Sequence, residues 1–107
     1  MLYELRIYYM LPGRQQAICE RFANHTLGLF ENHGIVVTDF WLDAAGKEVI
    51  YYVCEFENDE QRKAQWAAFA KDPAWIAAMT ASEVDGKIVE RVESQLMTKA
   101  PFFKKYQ

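Results

Sequence analysis

The chain has 107 residues, the length of one domain, and its 51% hydrophobic and 25% charged residues exclude disorder. Its net charge is −3 and its Lys and Arg are scattered, so no basic stripe for nucleic acid is present. No apolar run approaches the roughly 20 residues of a membrane span, so neither nucleic acid nor a membrane is expected as a partner.

Leu2 to Met10 reads as a first strand. Tyr3, Leu5, Ile7 and Tyr9 form one face, and Leu2, Glu4, Arg6 and Tyr8 form the other. The more apolar set is expected to face the core. Pro12 and Gly13 end the strand and open a long helix, since proline is tolerated in a first turn. Ile18, Phe22, His25 and Leu29 recur at helical spacing along it, with Phe30 beside them. Gly28 is expected to loosen or kink this helix near Thr26. His33-Gly34 is its stop.

Ile35 to Leu42 is the second strand, and the short loop Asp43 to Gly46 leads into a third, Glu48 to Phe56. Asn58 caps the next helix, with Gln61 completing a capping box. Trp66, Phe69 and Ala70 mark its buried face. Asp72-Pro73 restarts the chain as a short helix carrying Trp75, Ile76 and Met79. Asp85-Gly86 is a turn, Lys87 to Met97 a fourth strand, and the tail from Ala100 carries Phe102, Phe103 and Tyr106.

This order, βαββαβ with a split second helix, is the α+β, ferredoxin-like arrangement. It predicts one domain over residues 1–107, with a four-stranded antiparallel sheet in the order 4-1-3-2 and helices on one face. Ile50, Tyr52, Cys54 and Phe56 of the third strand point one way; Val49, Tyr51 and Val53 point the other, until Glu55. Both faces are largely apolar, yet helices cover only one. The other is expected to pack face to face in a two-fold homodimer, with Glu4, Arg6, Tyr8, Tyr51 and Glu55 at the interface. Arg6 would pair there with Glu4 and Glu55, an ion network that fixes the register of the dimer.

Four segments resemble the NIPSNAP family. They are Tyr3-Glu4-Leu5-Arg6-Ile7-Tyr8 with Pro12-Gly13; His25 to Gly34 running into Ile35 and Phe40-Trp41; Asp72-Pro73-Ala74-Trp75; and Ala100-Pro101-Phe102. The resemblance implies a dimeric α+β barrel and little about chemistry. The wider superfamily includes cofactor-independent monooxygenases and haem-degrading enzymes. The haem-degrading group carries an Asn on the first strand where Leu5 stands here, which counts against that activity.

His25, placed on the apolar helix face, is the one candidate general base, because an imidazole pKa moves easily across neutrality. Tyr3, Leu5, Phe22, Trp66, Trp75 and Met79 are the expected walls of a pocket for a small apolar ligand. His33 suits the helix dipole at a C-terminus. The two histidines stand about 12 Å apart along a helix and cannot share a metal. No metal or other cofactor is expected, and no GxSxG, P-loop or GxGxxG motif is present. Cys19 and Cys54 form no CxxC pair and read as reduced thiols of a cytoplasmic protein, and the N-terminus lacks the pattern of a secretory signal. The expectation is a ligand-binding or accessory protein. The alternative is a cofactor-independent monooxygenase or isomerase acting on a small aromatic or polyketide-like compound, with His25 as base.

Overall fold

The computed structural model describes residues 1–104. Tyr106 of the tail therefore lies outside the described residues. The elements are β1 (Leu2–Met10), α1 (Gln15–Arg21), a π-helical turn (Phe22–Thr26), α2 (Leu27–Asn32), β2 (Val36–Leu42), β3 (Val49–Phe56), α3 (Asp59–Lys71), α4 (Pro73–Ser82) and β4 (Val89–Met97). The sheet runs β2-β3-β1-β4 with every neighbour antiparallel. That is the 4-1-3-2 order expected from the sequence.

Local chemistry explains where the elements start and stop. Pro12 and Gly13 form a turn ahead of the helix rather than its first turn, and Gly13 takes φ +80°. The helix begins at Gln15, and its cap comes from across the sheet. The Glu48 carboxylate accepts the N–H groups of Gly13 (2.9 Å) and Gln15 (3.1 Å), which satisfies donors that a helix start leaves open. At the far end Gly34 has φ +72°. The N–H of Ile35 reaches the carbonyl of Phe30, and that of Gly34 reaches Glu31. This is the Schellman arrangement that a glycine permits. Asn58 caps α3 by accepting from the N–H of Gln61 (2.8 Å), while the Gln61 side chain accepts from Glu57. Asp72 caps α4 through the N–H of Ala74, with Pro73 in its first turn.

The core lies between the helices and one face of the sheet. Ile18, Phe22, Phe30 and Phe69 meet Ile50, Tyr52, Cys54 and Phe56 of β3 there. Two expectations need correction, and both follow from how the chain turns its faces.

The first concerns β1. Its register pairs Glu4 with Cys54, Arg6 with Tyr52 and Tyr8 with Ile50. Directly paired residues share a side of the sheet, so Glu4, Arg6 and Tyr8 point at the helices. Tyr3, Leu5 and Ile7 pair with Glu55, Val53 and Tyr51 and look out from the uncovered face. Tyr51 and Glu55 thus sit on the open face as their alternation implied. Glu4, Arg6 and Tyr8 do not, and the Arg6–Glu55 pairing does not form.

The second concerns His25. Besides Arg21, the buried residues of the first helical stretch are Ile18, Phe22, Thr26 and Phe30, each four along from the last. A straight α-helix of 3.6 residues per turn drifts about 40° with each such step. The π-helical turn absorbs that drift: the N–H of Leu27 bonds the carbonyl of Phe22, five residues back. The widened turn brings Thr26 inward and leaves His25 exposed. The irregularity precedes Gly28 and centres on Phe22–Thr26.

Candidate ligand-binding site

Between the layers is a cavity of ≈440 Å³, lined by Arg6, Tyr8, Arg21, Phe22, Thr26, Phe30, Trp66, Phe69, Ala70 and Trp75. It is large enough for a small organic molecule. Its polar side grows from β1, where Glu4 is fully buried (0% exposed). A buried carboxylate is tolerable only when its oxygens are bonded. Glu4 Oε1 accepts from Trp66 Nε1 (2.8 Å) and Arg62 Nη1 (3.3 Å); Oε2 accepts from Ser94 Oγ (2.6 Å) and Arg6 Nη1 (3.0 Å). Burial pushes the Glu4 pKa up. The bonds from Ser94 and Trp66 and the charge of Arg6 outweigh it, and the net shift is downward. Glu4 is therefore an anion in the folded protein.

Arg6 stands between this anion and the cavity. Its Nε donates to the Tyr52 hydroxyl (2.8 Å), and that hydroxyl shares a hydrogen bond with Tyr8 (3.1 Å). The guanidinium carbon lies 4.6 Å from the centre of the Trp66 ring, a cation–π contact that fixes the planar group. Burial alone would weaken the hold of Arg6 on its proton; the neighbouring Tyr52 and Tyr8 and the Glu4 carboxylate reverse that, and its pKa rises. Tyr52 is raised well above the ordinary phenol value, by burial first and then by Tyr8, against the opposing pull of Arg6. It is a neutral hydrogen-bonding post. Its ring stacks on Phe40, 5.2 Å between centres.

The opposite wall comes from the helices. Arg21 is buried and bonds Ser82 Oγ (3.3 Å) and Glu83 Oε2 (3.2 Å) through Nη1. Its guanidinium carbon lies 5.2 Å from the Trp75 ring centre. Thr26 donates its hydroxyl to the carbonyl of Arg21 (3.3 Å), and the π-helical turn places Thr26 on the cavity. Single π-turns within helices are frequent at functional sites. Phe22, Phe30, Phe69 and Trp75 close the apolar walls by edge-on and tilted contacts.

Of the residues the sequence nominated as pocket walls, the structure brings Phe22, Trp66 and Trp75 to this cavity. Tyr3 lies on the open sheet face, beside a wide groove of ≈610 Å³ with Val53, Glu55, Met97 and Lys99. Leu5 shares that face, and Met79 is partly buried on α4 away from the lining. His25 borders only shallow clefts on the outer side of the helices. His33 bonds the capping residue Asp72 (2.8 Å) and joins two helix ends. Cys54 is fully buried, and burial pushes its thiol up to about 12, so it packs as a small hydrophobe. Arg21, Thr26 and Tyr52 were missed as site residues. The cross-strand register was the signal for Tyr52, because it sets Arg6 directly opposite. Among the described residues no group of three or more His, Cys, Asp or Glu is placed to hold a metal, and no helix is long and apolar enough to cross a membrane.

A ferredoxin-like α+β sheet with helices on one face, and an aromatic cavity between the layers, is the class this chain falls in. A family model for NIPSNAP matches residues 3–104, and the chain belongs to that family. It is similar to the solved structure of a NIPSNAP domain protein from Burkholderia xenovorans, with 23% identity over 98% of this chain and 100% of that one and a TM-score of 0.82. A NIPSNAP family protein of unknown function from Agrobacterium tumefaciens is similar at 21% identity, over 96% and 91% of the two chains, with a TM-score of 0.83. The fold extends to a putative antibiotic biosynthesis monooxygenase from Nitrosomonas europaea, at 10% identity, 92% and 98% coverage and a TM-score of 0.64. No curated protein matches the chain.

Proposed function

We propose that this NIPSNAP protein binds a small, largely apolar ligand in the cavity between its sheet and helices. The supporting observation is the cavity itself, ≈440 Å³ with walls made mainly of aromatic rings and polar groups gathered at Arg6, Tyr8 and Arg21. Apolar walls with a few fixed polar groups are the usual make-up of a ligand site. Native mass spectrometry of the purified protein is expected to show a co-purified small molecule that is lost in Trp75→Ala. A mass equal to the bare chain, together with no binding of any aromatic probe, overturns the reading. A reaction in this cavity would have to draw on Tyr8, Tyr52 and Arg6, since His25 faces outward.

The same reading gives the open sheet face to a second copy of the chain. Tyr3, Leu5, Ile7, Tyr51 and Val53 are only partly buried there, and Trp41 on the neighbouring strand is 49% exposed. Face-to-face sheets would cover this patch, as two-fold dimers commonly do. Sedimentation velocity at micromolar concentration is expected to report twice the 12.5 kDa chain mass; a single 12.5 kDa species contradicts it. The free thiols Cys19 and Cys54 fit a reducing, cytoplasmic setting.

A further inference from the structure

We infer that the ligand is an acid: a carboxylate, or an equivalent oxyanion, carried on an aromatic or aliphatic body. This rests on the binding reading above and names the chemistry of its polar end. The cavity lining contains two guanidinium groups, Arg6 and Arg21, and no carboxylate. The acids that hold these cations sit behind them. Glu4 is fully buried beneath Arg6, and Glu83 meets Arg21 from the start of the α4–β4 connection.

The unmet hydrogen-bonding capacity of the charged groups in the lining is all donor. Arg6 commits Nε and Nη1, and its Nη2 makes no hydrogen bond among the described residues. Arg21 commits only Nη1, and its buried Nε has no partner among the described residues. Trp66 Nε1 is already given to Glu4, and the Thr26 hydroxyl to a backbone carbonyl. The Tyr8 hydroxyl is tied to Tyr52. A ligand cation would meet no counter-charge here, and a pure hydrocarbon would leave guanidinium donors unmet.

Charge points the same way. Glu4 is divided between Arg6 and Arg62, and Arg62 shares Asp59 with Lys63. Arg21 is paired with Glu83 alone, and that carboxylate, like Glu4, lies outside the cavity lining. The two guanidiniums are thus the only charged groups that face the cavity among the described residues. Arg6 and Arg21 are each laid against a tryptophan ring, at 4.6 and 5.2 Å. Each planar guanidinium is thereby held in place as a fork of the kind that recognises a carboxylate. Phe22, Phe30 and Phe69 then receive the apolar body.

Calorimetric titration of the full chain with two matched pairs tests this: benzoate against benzamide, and 2-naphthoate against 2-naphthamide. Each acid is expected to bind about tenfold or more tightly than its amide, and raised ionic strength should weaken the acids alone. Arg21→Met should remove most of the preference of acid over amide. The paired variant Glu4→Gln with Arg6→Met should do the same without stranding a buried charge. Equal affinity of acid and amide overturns the inference and leaves the apolar pocket standing. Failure of both acids and both amides to bind below about 1 mM overturns the pocket reading, and the inference with it.

Discussion

The two faces of β1 are built on opposite plans. Glu4, Arg6 and Tyr8 lie under the helices, while Tyr3, Leu5 and Ile7 lie on the side that no helix covers. The covered side is the more polar one. It tolerates this because Glu4 is saturated by four donors and Arg6 is held by Glu4, Tyr52 and Trp66. The uncovered side offers mostly apolar side chains without such a network. Cover by helices and suitability as core are thus separate properties of a strand face. On our proposal the helix-covered face carries the recognition chemistry and the apolar face is left for a second copy.

Mutations on the two faces should separate the plans. Glu4→Ala should have the largest effect, about 3–5 kcal/mol of stability in a urea titration, because it strands the Arg6 guanidinium and the Trp66 N–H. Tyr52→Phe keeps the ring packing and removes the post between Arg6 and Tyr8. A loss of about 1–3 kcal/mol is expected, since a buried arginine donor is left unmet. On the open face, Leu5→Ala should cost about 1 kcal/mol or less at concentrations where the chain is monomeric. If Leu5→Ala proved as damaging as Glu4→Ala, the contrast between the faces would fail.

The pH dependence probes the covered face as well. Glu4 has a folded-state pKa below its ordinary 4.5, and Asp72 is lowered by its bond to His33 and by the N–H of Ala74. Groups depressed on folding contribute stability that is complete above their ordinary pKa and is lost as pH falls through the folded value. Thermal stability should therefore be level near neutrality and drop below about pH 4.5. Glu4→Gln should be less stable at neutral pH and flatten part of that acid limb.

Much of the fold was legible in the sequence, because the caps and turns are local. Asn58 with Gln61, Asp72 with Pro73, and the His33-Gly34 stop all act where their residue types said they would. The site was less legible, for two physical reasons. Alternation divides a strand into two faces, but hydrophobicity orients them only when one face meets water. On β1 the apolar set lies on the open face and the polar set lies under the helices, so the apolar rule points the wrong way. The helical period failed at Phe22–Thr26, where a π-turn shifts the phase of the inward face. No cap, proline or glycine within Phe22–Thr26 announces it, and Gly28 follows it. Thr26 thereby entered the cavity and His25 left it, while Arg21 stands on the regular α1 ahead of the turn.

The chain has three tryptophans, and they report on the two faces separately: Trp66 and Trp75 line the cavity, and Trp41 is on the open face opposite Tyr51. A proton–nitrogen NMR titration of the full chain with 2-naphthoate follows all three indole N–H signals at once. The Trp66 and Trp75 indoles are expected to shift with a common saturation while Trp41 stays in place. A shift of Trp41 alone, with the cavity indoles unmoved, would contradict it.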